Sequence, residues 1–378
     1  MYVAVVIPCL NEQDHIAATV RSLGFDGSSA PPDADLILVD NASTDRTLSV
    51  LGELAQAGPA DRIHRLAESV RGFVPPRHRG VRHAGELARA RGVGSDDMLI
   101  LQADADTIYR PNYIERMRAA SSPNALLEGA IGRSGGPDAL LRCYRDLELQ
   151  VDRATRALEV DDDQEVLVDD KACGYRLSDY LTWGGLTREY STSGSEIHAE
   201  TTRMYLRALG RGGARRQRVE GAEALTSARR IWEDPALYFS TAGFPRERGW
   251  IDAFQARVRS GAGPMVQIGD SRIWANREAI RYRIGHNLVL FAILPRLVSR
   301  MLNDRRVEPE TLRAVLSHWD AVAVRDLCGR PGLFLTGLLA LIDDRESGLH
   351  PLLDDLVNGV VSGASGLSSP ASPPTSAP

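Results

Sequence analysis

Residues 97–117 read DMLILQADADTIYRPNYIERM, an apolar run that ends on two aspartates one residue apart and then turns helical. A run without polar alternation is what a strand buried on both faces looks like. Side by side at its tip, Asp104 and Asp106 repel each other unless positive charge lies beside them. Two carboxylates in such a turn make a seat for a hard divalent cation, Mg²⁺ or Mn²⁺, whose remaining positions go to substrate phosphates. The competing reading is a solvated turn with Asp106 capping the next helix. Placement after LILQ, with Asp40 ending another apolar run, favours the cation.

The same punctuation runs back to the N-terminus. YVAVVIP (2–8), ADLILVD (34–40) and DRIHRLAE (61–68) read as three further strands. Helical patterns separate them. Asn11 is placed to cap one in which Ile16, Val20 and Leu23 share a face, and Leu51 and Leu54 mark the next. AGELARARG (84–92) follows the Pro- and Arg-rich RGFVPPRHRG as a third. The alternation predicts an α/β fold with a mostly parallel sheet flanked by helices, and a ligand site beyond the carboxyl ends of the strands. Polar residues collect at those ends: Asn11 and Glu12, then Asp40 and Asn41, then Asp104 and Asp106.

Farther along, NALLEGAIG (124–132) reads as a strand and residues 137–160 as a helix. DDDQEVLVDDKACG (161–174) reads as a solvated acidic loop. HAETTRMYLRALGRGG (198–213) reads as a helix stopped by glycine, followed by the strand RQRVEGAEALTS. These patterns divide the chain into an α/β domain at 1–231, a mainly helical extension at 232–361 that includes a helix at 309–327, and a disordered Ser/Pro-rich tail at 362–378.

The 378 residues carry a net charge of -5, which provides no basic field for a nucleic-acid backbone. Lys171 is the single lysine, so arginine supplies nearly all positive charge and any side-chain grip on an anion. The four cysteines form no CxxC pair, which suits a reduced, cytoplasmic setting. MYVAVVIPCLNEQDH lacks the basic start of a signal peptide, and the longest apolar run, NLVLFAILP (287–295), is too short to span a bilayer. A soluble protein is expected.

VVIPCLNE (5–12), LILVDNASTDRT (36–47) and ILQADADTIYRPNYIERM (100–117), in this order and spacing, resemble family 2 glycosyltransferases. The resemblance is close over about residues 3–118 and weaker to about 230. It implies a GT-A fold with a DxD metal motif and a UDP-, GDP- or TDP-linked sugar as co-substrate. The implied activity is a metal-dependent, inverting, hexosyltransferase-like reaction.

The resemblance also implies roles for residues. Pro8, Asn11 and Glu12 border the base and ribose, and Asp40, Asn41 and Ser43 contact the base edge and ribose. Asp106 binds Mg²⁺ or Mn²⁺, and Asp104 reaches the cation through water or holds the ribose. Arg82 and Arg79 either reach a phosphate or face solvent, and Arg229 and Arg230 close over the phosphates or pair with nearby acids. The family's "ARN.G" stretch is matched by ARARG (88–92), with Ala90 in place of Asn. Its general base comes from an "ED" pair, matched in SEIHAETTRMYL (195–206) by Glu200 and Thr201. Threonine is no base at neutral pH, so Glu200, Glu196 or His198 must serve.

Two rivals remain. A nucleotidyltransferase would carry a Gly-rich loop where IPCLNE stands. A degenerate member that only binds a sugar nucleotide is kept open by Thr201. The expected acceptor is soluble, a small molecule, natural product or peptide, and the helices after 232 either shape its side of the site or form a homodimer.

Overall fold

The computed structural model describes residues 1–27, 30–59, 61–134, 138–211, 213–244, 246–259, 276–302, 308–317, 319 and 327–365. Eight strands form one sheet: β1 (Tyr2–Cys9), β2 (Ala34–Asp40), β3 (Ile63–Ala67), β4 (Met98–Ala103), β5 (Thr107–Tyr109), β6 (Ala125–Arg133), β7 (Ala172–Arg176) and β8 (Arg215–Thr226). Their order is β3-β2-β1-β4-β7-β6-β8-β5. β3, β2, β1 and β4 run parallel, whereas β7 runs antiparallel between β4 and β6. This reversal brings the start of β7 to the edge where the parallel strands end. Ala103 pairs with Ala172, which sets the residues before β7 beside Asp104.

The central strands are apolar because both faces are covered. Val3, Val5, Ile7, Leu36 and Leu38 pack on one side with Ile16 of α1 (Ile16–Ser22) and Met117 of α4 (Tyr113–Ala120). Ala4, Val6, Ile37, Val39 and Ile100 pack on the other with Val81 and Ala84 of α3 (Val74–Ala90). That second cluster continues through Tyr144 and Leu147 of α5 (Ala139–Thr155) to Leu288, Leu297, Leu335 and Val357. The C-terminal helices therefore share a core with the sheet. The apolar run at 287–295 is buried in that core as a π-helical turn, Leu288–Ile293, and the start of the helix after it. Among the described residues, no helix is long and apolar enough to cross a membrane.

Several expected boundaries shift. Asn11 does not cap α1. It takes a left-handed conformation (φ 58°), and its side-chain carbonyl accepts from the Thr44 N–H at 2.8 Å. α3 begins at Val74, inside RGFVPPRHRG, because prolines in a first turn lack N–H groups that a helix leaves unpaired there anyway. Residues 161–174 are no solvated loop, since Val166, Val168 and Asp170 are buried. The last helix, His350–Ser365, runs past the expected boundary at 361, and 366–378 lie outside the described residues. Of the expected helix at 309–327, Glu310–Ser317 is helical, while 318 and 320–326 lie outside the described residues.

Gly80 lets α3 lie directly on the sheet. A methyl group there would overlap Val6 Cγ1 and meet Val39 Cγ2 at 3.4 Å. Gly80→Ala should therefore lower unfolding free energy by about 1–3 kcal/mol, overpacking a stiff valine. The expected gain in helix propensity, about 1 kcal/mol, works against that loss. Urea denaturation measures the difference, and an equal or higher midpoint would show that the helix lifts away without cost.

Candidate functional site

The strand ends and the segment before β7 enclose a cavity of about 310 Å³. Asp104, Asp106, Asp170, Lys171, His198 and Arg230 are on its wall. A broader cleft of about 850 Å³, bounded by α5, shares Asp169, Lys171, Thr226, Arg230 and Tyr238 with it.

The answer to the paired aspartates is arginine. Arg77, buried in α3, donates from Nη2 to Asp104 Oδ1 (2.6 Å), from Nη1 to Gln102 (3.1 Å) and from Nε to Glu200 Oε1 (2.9 Å). Arg229 stands 3.2 Å from Asp106 Oδ2 and makes a two-point contact with Glu12 at 2.8 and 2.5 Å. Burial alone would raise the Asp104 carboxyl, but Arg77, helped by Lys171 and Arg230, holds it below the ordinary range. Glu12 goes the other way, raised by burial against the pull of Arg229. The Asp104 N–H donates to the Tyr109 hydroxyl (3.0 Å), which donates to the Lys171 carbonyl (2.7 Å). This bridge fastens the tip of β4 to the segment before β7.

That segment was the feature hidden in the sequence. Lys171 bonds Asp169 at 2.7 Å, and Asp170 is only 8% exposed. Burial, with Glu200 adding to it, pushes Asp170 up to about 6, while Arg77, His198 and Thr201 oppose the rise. The readable signal was a D-D-K step directly before the buried ACGY strand.

α7 (Glu200–Arg211) brings the third group. Ala199 sits at φ 62°, an unusual conformation for a residue with a Cβ, between His198 and Glu200. The fully buried Arg203 fixes the approach by donating to the carbonyls of Thr187, Ile197 and His198 at 2.9–3.1 Å. His198 lies edge-on to Phe73 and Phe244 and is pushed down to about 4, chiefly by burial. Ligand-type atoms of Asp170, His198 and Glu200 all lie within 4.8 Å of one another.

The residues expected to border a nucleotide form a separate cluster at the ends of β1 and β2. The Asn11 N–H donates to Ser43 Oγ (3.0 Å) and the Glu12 N–H to Thr47 Oγ1 (2.7 Å), which locks the two loops together. Pro8 is half-buried near the end of β1. Asn41 was expected at the base edge, but its side chain is committed to Glu68, Val70 and Gly72 of the next loop. Asp40 is 5% exposed with Oδ1 unpartnered among the described residues, an acceptor awaiting a donor.

Other expected site residues lie away from the cavity wall. Arg82 is exposed and Arg79 half-buried, and neither lines the cavity. ARARG ends α3 at the far edge of the sheet, where Arg91 bonds Asp35 at 2.9 and 3.0 Å. The same R-x-x-G spacing occurs at Arg77–Gly80, and that arginine is the one in the cavity. Glu196 lies away from the wall, taking the Val74 N–H at the start of α3 (3.2 Å) and Arg188 (3.0 Å). Glu200 is 2% exposed and tied to Arg77.

Arg77→Met should keep the stem and strip the guanidinium from buried acids. Breaking one side of such a network costs about 3–5 kcal/mol. Urea unfolding should report a loss of that size, and a loss under about 1 kcal/mol would mean that water solvates the acids instead.

Residues 4–125 match the family profile described as Glycosyl transferase family 2. A relative, the succinoglycan biosynthesis protein ExoA of Rhizobium meliloti (strain 1021), is 34% identical over 113 residues, 30% of this chain and 30% of that protein. The chain thus matches under a third of that relative's length. Among solved structures, the mannosyltransferase PcManGT of Pyrobaculum calidifontis with GDP-Man and Mn²⁺ aligns at TM-score 0.43 and 14% identity, over 97% of this chain and 86% of that one. S. aureus TarS 1–349 with UDP-GlcNAc aligns at 0.42 and 13%, over 97% and 92%. At these scores neither adds to the topology described above. The profile match falls on β1 through the start of β6 and takes in Asp40, Asp104 and Asp106, so this stretch of the chain is similar to glycosyl transferase family 2.

Proposed function

We propose that the protein transfers a sugar from a nucleoside-diphosphate donor to an acceptor hydroxyl, with inversion. The observation that carries this reading is the cavity at the strand ends. It pairs the Asp104–Asp106 tip with two cations, Lys171 and Arg230, while the separate cluster at the ends of β1 and β2 holds a buried acceptor, Asp40, whose Oδ1 lacks a donor among the described residues. The nucleoside lies along the joined loops with its base or ribose donating to Asp40. The diphosphate lies toward Lys171 and Arg230, and Arg230 makes no ion pair among the described residues. The acceptor, a soluble small molecule, natural product or peptide, enters through the broader cleft beside α5. A cytoplasmic setting fits this reading.

The strand tip also suits a divalent cation, Mg²⁺ or Mn²⁺. Asp104 Oδ1 and Asp106 Oδ2 face arginines, and the second oxygen of each makes no hydrogen bond among the described residues. Hard carboxylate oxygens of this kind fit such an ion. Asp106, with Asp104 beside it, would hold it, and a bound ion would supply Lewis-acid stabilisation of the departing diphosphate. The chain's own contribution is positional. Arg77 fixes Asp104, Arg229 fixes Asp106, and Lys171 and Arg230 attract the charge that grows on the leaving group.

Calorimetry with UDP, GDP and TDP, with and without Mn²⁺, tests the reading. One of them should bind, and Asp40→Ala should weaken it by about 1–3 kcal/mol, the cost of a lost buried hydrogen bond. Asp106→Ala should remove the part that depends on Mn²⁺. With the matching sugar nucleotide, slow release of nucleoside diphosphate marks a transferase. Pyrophosphate release would mark a nucleotidyltransferase, and binding without turnover a degenerate sugar-nucleotide-binding protein.

A further inference from the structure

We propose that Asp170 takes the acceptor's proton, occupying the role that Thr201 cannot fill; this inference rests on the transferase reading. Six carboxylates line the cavity, and five of them face a cation. Asp104 pairs with Arg77, Asp106 with Arg229, Glu128 and Glu165 with Arg216, and Asp169 with Lys171. Asp170 alone makes no ion pair among the described residues, and its Oδ1 has no hydrogen-bond partner there. A buried carboxylate costs stability unless something compensates it. An unpaired one on a cavity wall is therefore a group kept for a ligand.

Its surroundings single it out from the alternatives. Thr201 lies beside it, so the position where an acid is expected and the acid supplied from before β7 meet in one place. Glu200 spends Oε1 on Arg77, and although its Oε2 has no partner among the described residues, the side chain is buried and does not line the cavity. Glu196 serves the start of α3. His198 shares the wall, but burial makes its imidazole a weak proton acceptor. The groups that face Asp170 are Glu200 and His198 from the approach to α7, Arg77 from α3 and Cys173 from β7, with Asp169 and Lys171 adjacent in sequence. Burial and Glu200 raise it to about 6, where a carboxylate is both ionised at neutral pH and basic enough to accept a proton.

The step balances as a single displacement. The acceptor oxygen forms a bond to the anomeric carbon and releases its proton to an oxygen of Asp170. The bond from that carbon to the diphosphate breaks, and its electron pair leaves with the phosphate oxygen. When water is the acceptor, the same transfer yields free sugar and nucleoside diphosphate, so hydrolysis reads the base without knowledge of the natural acceptor.

The test uses the full chain with UDP-glucose, UDP-GlcNAc and GDP-mannose as probes, in Mn²⁺. Wild type should hydrolyse at least one, with a rate that falls as pH drops through about 6. Asp170→Asn should bind that donor within about twofold of wild type, which also reports an intact fold. It should hydrolyse about 10²–10⁴-fold more slowly, the usual cost of a lost base, and without the acid limb. Adding Thr201→Asp to that variant should recover part of the rate. Hydrolysis at the wild-type rate, or a retained acid limb, would overturn the assignment while leaving donor binding and the transferase reading in place. Loss of nucleotide-free Mn²⁺ binding in Asp170→Asn, but not in Asp106→Asn, would make Asp170 a cation ligand and overturn it too. Should no probe bind to wild type, the transferase reading fails first and the assignment falls with it.

Discussion

The buried guanidinium of Arg77 holds together what the chain would otherwise push apart. It reaches the tip of β4 through Asp104, the strand interior through Gln102 and the first turn of α7 through Glu200. With its contacts replaced by water, the two carboxylates and the nearby Asp170 would repel across a space too small to solvate them all. Because the planar group points its donors in fixed directions, it also sets the angle at which α7 meets the sheet. A lysine could neutralise one acid, but it could not orient three groups at once. The site is thus arranged before any ligand arrives, which lowers the ordering cost of binding.

The parallel strands were legible because burial on both faces removes polar alternation. β2 matches the expected 34–40 to the residue, and β1 and β4 shift by one or two. The positions of Asp40, Asp104 and Asp106 followed from those strand ends. What could not be read was anything set by tertiary pairing. The acidic run at 161–174 has the composition of a solvated loop, and only the antiparallel pairing of β7 with β4 turns it into a wall of the site. Arg77 and Arg82 look alike in sequence, yet they lie on different faces of one helix, and the face was hidden by prolines taken as a break.

The exchange of roles proposed around Thr201 would show how such a cavity tolerates change. Its wall is built from segments far apart in the chain, α7 and the residues before β7 among them, whose side chains end within a few ångströms of each other. A carboxylate removed from one segment can be replaced from another without moving the reacting atoms. Positional matching to a family pattern then reports a loss where the chemistry has only changed its point of attachment. The left-handed Ala199 belongs to the same economy. A small residue there lets the chain turn sharply enough for His198 and Glu200 to face one space.

Lys171 gives the molecule one more property. It is the sole lysine of the sequence, and it lies where the cavity and the broader cleft meet. An amine-directed reagent therefore has two addresses on this protein, the α-amine of the chain and the site itself. Burial disfavours its charge, but Asp169 and Asp104 outweigh burial and hold the ammonium protonated more strongly than in free lysine, so the reaction is slow unless the pH is high. Whatever occupies the cavity shields that nitrogen. The chain thus carries a built-in reporter: an adduct located on the peptide that holds Lys171 reads whether the cavity was empty.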